Sequence, residues 1–341
     1  LIKIFGPAAI LAVGLLPVIA FLSVLVALDS YKLVKLRVVV LLVVWGALAA
    51  GASYLISTVV FSVVQINLHS YSRYVAPLIE EALKGAIIVV LIRKGRIGFL
   101  IDAAILGFAA GAGFAMLENL FFYFSGIIPY TGLATWVIRG FGTAIMHGGA
   151  TAIFAVMGLS LLEEDPTATV RSLWFGYAIA VVLHSAFNHG LLTPIHSTVA
   201  ILVLLPPLFY WVFERSERRI GEWLGEGFDA NAATLELINS GALSQSHVGL
   251  YLDTLKERFK GIVIADILCY LRLSTELGLR AKGILLMREN GFEVPIDAAT
   301  REKFLEMDYL RGSIGPTGLL ALQPMLPMSH KELWQLYMLG S

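Results

Sequence analysis

Apolar residues in this chain come in long runs rather than in alternation. About seven runs stand out, at roughly residues 5–28, 38–64, 75–92, 98–125, 136–162, 173–193 and 197–213, each near or above the ~20 residues a helix needs to cross a bilayer. Strand-type alternation is absent, and backbone groups in lipid must pair within their own segment, so the runs predict transmembrane helices. Pro17 lies inside the first run and predicts a kink there. That run is too long and too poorly flanked for a cleaved signal peptide and reads as a retained span. From about residue 214 the pattern becomes amphipathic, as in "HVGLYLDTLKERFKGIVIADILCYLRL", with "ENGFEVP" and "GSIGPTG" marking breaks between helices. The remaining ~125 residues suffice for a modest core. The expected fold is all-α: a polytopic membrane helix bundle over residues 1–213, with its functional core at 74–193, and a cytoplasmic helical domain over 214–341.

Composition sharpens this picture. Hydrophobic residues make up 57% of the chain, and the mean hydropathy is +0.79, too apolar for an ordinary soluble domain. The formal net charge is zero, so nothing points to nucleic acid. The single cysteine, Cys269, excludes an intrachain disulfide framework and a multi-cysteine metal site. Lys and Arg gather in "SYKLVKLR", "RKGR", Arg171 and "ERSERR", whereas the opposite loops offer Lys3 and Arg73. The positive-inside rule places the rich side in the cytoplasm, the N-terminus outside and the tail inside.

Charged residues inside the runs are the anomaly. Glu80, Glu81 and Lys84 fall within the third, although a charge at the centre of a spanning helix costs at least about 2.5–3.5 kcal/mol. Counted at 1.5 Å per residue from the outer ends, Glu80 and Glu81 lie about 9–10 Å deep, Glu118 about 10 Å, His147 about 16 Å, His184 about 14 Å and Asn188 about 8 Å. Four consecutive spans thus carry polar groups at similar depth in the outer half, where such groups face the bundle interior or a wet cavity. His184 and Asn188 share a helix face, as do Glu80 and Lys84. Glycines in the fourth and fifth spans permit close helix approach.

"EEALK", "FAMLEN", the histidine of "AIMHGG" and "HSAFN" occur in that order on successive spans. This set, over roughly residues 70–195, resembles the PrsW family of intramembrane proteases, within the wider group of CAAX prenyl endopeptidases and bacteriocin-processing enzymes. Lys84 stands near the wider group's arginine, and Glu118 replaces its histidine; both departures fit the PrsW branch. The resemblance implies a protease that cuts a single-span membrane protein, an anti-sigma factor in the PrsW case, near its outer boundary. HExxH, GxSG and paired YD/GxGD motifs are absent.

Two chemistries stay open. Without metal, Glu80 or Glu81 activates water, the other pairs with Lys84, His184 and Asn188 hold the water or the oxyanion, and His147 and Glu118 orient them. With metal, Glu81, Glu118, His147 and His184 make a set for one divalent ion such as Zn²⁺, and the remaining glutamate is the base. Simpler readings compete at single positions: a salt bridge for one glutamate, interhelical hydrogen bonds for the histidines and Asn188, a backbone bond for Thr151, a capping or lining role for Asn119, a supporting or interfacial one for His189. Arg139 and Asp102 read as snorkelling side chains, and Phe121, Phe122 and Trp136 as an interfacial belt. A proton-coupled transporter, a receptor or a catalytically silent scaffold would also place polar groups in a bundle. The expected partners are the bilayer, a single-span substrate, and a second copy or another protein at the cytoplasmic domain.

Overall fold

A computed structural model of the chain describes residues 6–127, 132–165, 169–292, 294–322 and Trp334. Lys3 lies outside them. All regular structure among the described residues is helical. The elements are α1 (Pro7–Ala27), α2 (Leu36–Val63), α3 (Leu68–Ser70), a π-helical stretch π1 (Tyr71–Val75), α4 (Ala76–Arg93), α5 (Leu100–Ser125), α6 (Leu133–Val137), a second π-helical stretch π2 (Ile138–Thr143), α7 (Ala144–Glu164), α8 (Thr169–His189), α9 (Pro194–Asn239), α10 (His247–Leu255), α11 (Gly261–Glu289) and α12 (Ala298–Leu322).

Among the described residues, six helical stretches are long and apolar enough to cross a membrane: Pro7–Ala27, Leu36–Val63, Leu100–Ser125, Leu133–Glu164, Thr169–His189 and Pro194–Asn239. These make the chain a multi-pass membrane protein. α4, the remaining expected span, carries Glu80, Glu81, Lys84 and Arg93 and does not qualify on composition. The chain divides into two compact units, one holding the chain up to Arg93 together with Phe99–Glu217, the other Lys94–Gly98 together with the chain from Arg218 on.

In the first unit α5 is the central helix, buried on all sides from Leu100 to Ala115 and packed by α1, α2, α4 and α7. Small residues make this possible. A Cβ on Gly46 of α2 would lie 1.9 Å from Ala110 O of α5, and one on Gly111 of α5 would lie 2.2 Å from His147 O of α7. Only glycine lets these backbones meet. The outward faces stay apolar: Leu41, Leu48 and Leu55 of α2, Val182 of α8 and Leu204 of α9 are exposed, as a lipid-facing surface requires.

Helix ends depart from the expectation in instructive ways. The third span begins helically at Leu68 rather than near 75, because the polar stretch "LHSYSRY" is wound into α3 and π1. The fifth begins at Leu133. Along those axes Glu80 and His147 lie about 18 and 21 Å from the helical starts. α9 runs unbroken past residue 213, with Pro206 and Pro207 inside it, so the composition change there is not a helix end. α1 likewise continues through Pro17. The N–H that proline lacks would have bonded Val13 O; Gly140 of π2 packs there instead, where a Cβ would lie 2.0 Å from that oxygen. Trp136 is no belt residue: it is fully buried in a cluster with Ile10 and Tyr123.

In the second unit α11 packs on α12. Ile267, Leu271, Leu277, Ala281 and Leu285 are buried, as are Met307, Leu310 and Ile314. The ion pair Lys303–Glu276 links the two helices and Arg280 pairs with Asp297 just before α12, where Asp297 Oδ1 accepts from Thr300 N at 2.9 Å. The expected breaks fall at the α11–α12 connection and at Gly315, whose φ is 70°.

Gly46→Ala is expected to lower the thermal unfolding midpoint in detergent, by the equivalent of about 1–3 kcal/mol of overpacking or more. Gly51→Ala on the same helix, where no atom lies within 4 Å of the added carbon, is expected to hold or raise it by about 0.5–1 kcal/mol of helix propensity.

Candidate active site

Adjacent residues on an α-helix point roughly 100° apart, so Glu80 and Glu81 of α4 reach different neighbours. Glu81 turns towards α7 and α8 and is fully engaged. Its Oε1 accepts from Lys84 Nζ at 2.6 Å and lies 2.8 Å from His184 Nδ1. Its Oε2 lies 3.3 Å from Thr151 Oγ1, which also reaches His147 O at 3.1 Å. Lys84, one turn on, is completely buried. Its ammonium lies 3.0 Å from His147 Nδ1 and 4.7 Å from the centre of the Phe114 ring.

These bonds fix what the imidazoles offer. His184 Nδ1 faces a carboxylate and carries the ring proton, leaving Nε2 with a lone pair 3.8 Å from Glu80 Oε2. His147 Nδ1 faces Lys84, leaving Nε2, which lies 3.6 Å from Glu118 Oε2. The two rings meet edge to face at 4.8 Å. One ligand atom each from Glu80, His147 and His184 lie within 4.8 Å of one another. Tetrahedral zinc, with ligands at about 2.0–2.2 Å, holds its ligand atoms about 3.3 Å apart. The ligand atoms therefore need to close on one another by up to about 1.5 Å to fit such an ion, and Glu81 behind His184 supplies the supporting carboxylate that metal-binding histidines ordinarily have. Ligation through His147 Nε2 requires that nitrogen to give up the proton it holds while Lys84 donates to Nδ1.

Glu118 of α5 has a different partner. Arg139 of π2 donates from a terminal nitrogen to Glu118 Oε2 at 2.9 Å and from Nε to Asn119 Oδ1 at 2.8 Å. Asn119 Nδ2 in turn donates to Gly14 O of α1 at 2.8 Å. The guanidinium lies over Phe122, 4.1 Å from the ring centre. Arg139 thus does not snorkel; it bridges α5 and π2 inside the bundle, and Asn119 is its buried relay to α1. The signal available in the sequence was an arginine followed by two closely spaced glycines in an apolar run, "IRGFG". Asp102 does not snorkel either: it is buried at the start of α5, where Oδ2 accepts from Phe99 N at 3.3 Å.

Of the residues singled out from the sequence, Glu80, Glu81, Lys84, Glu118, His147 and His184 come together. Asn188 does not join them. Its amide donates to Ser72 O at 2.8 Å, while Ser185 Oγ donates to Arg73 O at 2.7 Å. Both carbonyls belong to π1, and a π-helical turn widens the backbone ring and displaces normal pairing. His189 lies beside this anchor, accepting from Arg73 through its carbonyl at 3.3 Å. The candidate ligand set also differs from the expected Glu81, Glu118, His147 and His184: Glu81 and Glu118 are held by cations, and Glu80 takes the place beside the imidazoles.

A family model described as "PrsW family intramembrane metalloprotease" matches residues 35–212, a stretch that contains the whole cluster. No curated protein and no solved structure matches the chain.

Removing one partner of a buried ion pair leaves the other charge uncompensated. Glu81→Gln is therefore expected to cost about 3–5 kcal/mol of stability, most of it regained in the double variant Glu81→Gln/Lys84→Met. Asn188→Ala is expected to cost about 1–3 kcal/mol by unpairing the π1 carbonyl. Thermal unfolding of the four proteins in one detergent checks both.

Proposed function

Because this chain belongs to the PrsW family of intramembrane metalloproteases, we propose that it hydrolyses a peptide bond of a single-span membrane protein, using the cluster formed by α4, α5, α7 and α8. The observation that carries this reading is His184, held through Nδ1 by Glu81 and presenting Nε2 beside Glu80 and His147. Glu80, His147 and His184 would hold one divalent ion such as Zn²⁺, which when bound supplies Lewis acidity to a water and to the scissile carbonyl.

The remaining roles belong to the chain itself. Glu118, fixed by Arg139 and bordering the same cavity as Glu80, accepts the proton of the attacking water and returns it to the leaving amine. Glu81 orients His184 and compensates the buried Lys84, and so acts as a positioning residue. Lys84 and Thr151 fix His147 and Glu81 from α4 and α7. The Lys/Arg distribution of the loops supports a cytoplasmic C-terminal region and a cluster nearer the outer face. An anti-sigma factor is the substrate that the family resemblance suggests.

Cleavage of a single-span reporter by the purified protein in liposomes tests the reading. Glu80→Gln, His184→Ala and Glu118→Gln are each expected to reduce the rate by about 10²–10⁴-fold, Glu80→Gln with little change in unfolding temperature and the other two with a lowered one, because they leave Glu81 and Arg139 short of a partner. A chelator is expected to abolish cleavage, with elemental analysis finding the metal depleted in His184→Ala. Wild-type rates in Glu80→Gln, or full activity in metal-free protein, would overturn the assignment.

A further inference from the structure

A groove of about 740 Å³ lies between α2 and α5, and Glu80 and Glu118 both border it. One wall carries Ala50, Gly51 and Tyr54 of α2; the other is aromatic, with Phe114, Phe121 and Phe124 of α5. We propose that this groove receives an unwound stretch of the membrane-spanning substrate, and that the Gly51–Tyr54 face selects the side chain placed beside the reacting carboxylates. The proposal rests on the hydrolase reading above and adds to it where the substrate lies and what sets its size.

A peptide bond inside an intact helix is wrapped by its own side chains and hydrogen bonds. It must be unwound before water can attack it, and unwound backbone in a bilayer needs new partners. The groove supplies them. Its carboxylates accept hydrogen bonds from peptide N–H groups, and the hydroxyls of Ser53 and Tyr54 both donate and accept. A lipid acyl chain has no donor for those carboxylates, so a peptide is the better occupant of a groove that ends on them. The apolar wall suits the side chains of a membrane segment. Tyr54 packs on Phe121 across the two helices at a ring distance of 5.1 Å, so the two walls meet there in an aromatic pair.

Gly51 gives the selectivity its physical form. No atom lies within 4 Å of the place where its Cβ would sit, unlike Gly46 on the same helix, which glycine alone can satisfy. A side chain added at Gly51 enters the groove rather than the packing of the bundle. The missing side chain leaves room for a large apolar residue of the substrate.

The test has two arms. In the first, Gly51→Ala, Gly51→Leu and Gly51→Trp are compared in liposomes with a panel of single-span reporter proteins that differ in side-chain size across the outer half of the span. Cleavage is expected to fall progressively, by about tenfold or more for Gly51→Trp and chiefly through KM, while unfolding temperature and metal content hold; reporters with small residues should suffer least. In the second, the same reporters carry a photo-reactive residue and are mixed with Glu80→Gln protein, so that contact is read without turnover. Crosslinks are expected within 50–57 and 117–125. Crosslinks there without cleavage by the wild type would sustain the groove and sink the hydrolase reading. Wild-type cleavage by Gly51→Trp, crosslinks only elsewhere, or labelling of position 51 by a photo-reactive lipid that reporters do not displace would overturn the groove.

Discussion

The carboxylate of Glu81 is the constraint on which the bundle's interior depends. It binds an ammonium, an imidazole and a hydroxyl, and these come from α4, α8 and α7. A lone carboxylate or a lone ammonium at that depth would be prohibitive in lipid, and each makes the other tolerable. The pair then does more than cancel charge. Because Lys84 also reaches His147 and Glu81 holds His184, the ion pair orients both imidazoles at once. Three charged residues within two helical turns are tolerated because two of them form the scaffold for the third, Glu80, and for the two rings it faces.

The second constraint is backbone geometry. Both polar approaches to the cluster pass through π-helical turns, π1 before α4 and π2 before α7. A π turn shifts the register of the residues that follow it and leaves carbonyls needing outside donors. At π1, Asn188 and Ser185 of α8 supply those donors. At π2, Gly140 packs against the carbonyl that Pro17 leaves without its usual partner, and Arg139 turns inward to Glu118 and Asn119. Neither turn stands alone: π1 receives donors from α8, and π2 packs closely on α1 and sends Arg139 to α5.

Much of this was legible in the sequence, for physical reasons that also define the limit. Long apolar runs in lipid leave the backbone no alternative to helix, so the all-α membrane bundle followed directly. Buried acids and imidazoles must find one another, so the meeting of Glu80, Glu81, Lys84, Glu118, His147 and His184 followed from depth and order. What did not follow was who partners whom. Glu80 and Glu81 are indistinguishable in a string of letters, and only the roughly 100° between them, set against real neighbours, separates the anchored residue from the available one. Asn188 shared a face with His184, yet a π turn opposite it was invisible and claimed its amide. Arg139 lay near an expected helix end, where an arginine ordinarily reaches for headgroups; the longer helix and the glycines that follow it let it turn inward instead. Trp136 was misplaced for the same reason, since the helix begins earlier than apolarity alone indicates.

Protein chemistry in a membrane has to reconcile two demands: hydrolysis needs water and charge, and the bilayer excludes both. In this chain the demands are separated by the two faces of one helix. The Glu81 carboxylate is buried, with both oxygens engaged and small residues drawing α5 and α7 together behind it. The Glu80 face opens on the groove between α2 and α5, where Glu118 also lies. A rigid, fully paired network on one side can keep its geometry while the other side admits solvent and a flexible chain, because the two share a helix but not their hydrogen bonds. In the proposed reading, α2 contributes no charged group to the cluster because, as the far wall of the groove, it has to stay apolar enough to face lipid when the groove holds no substrate, and small enough at Gly51 to leave room when one arrives.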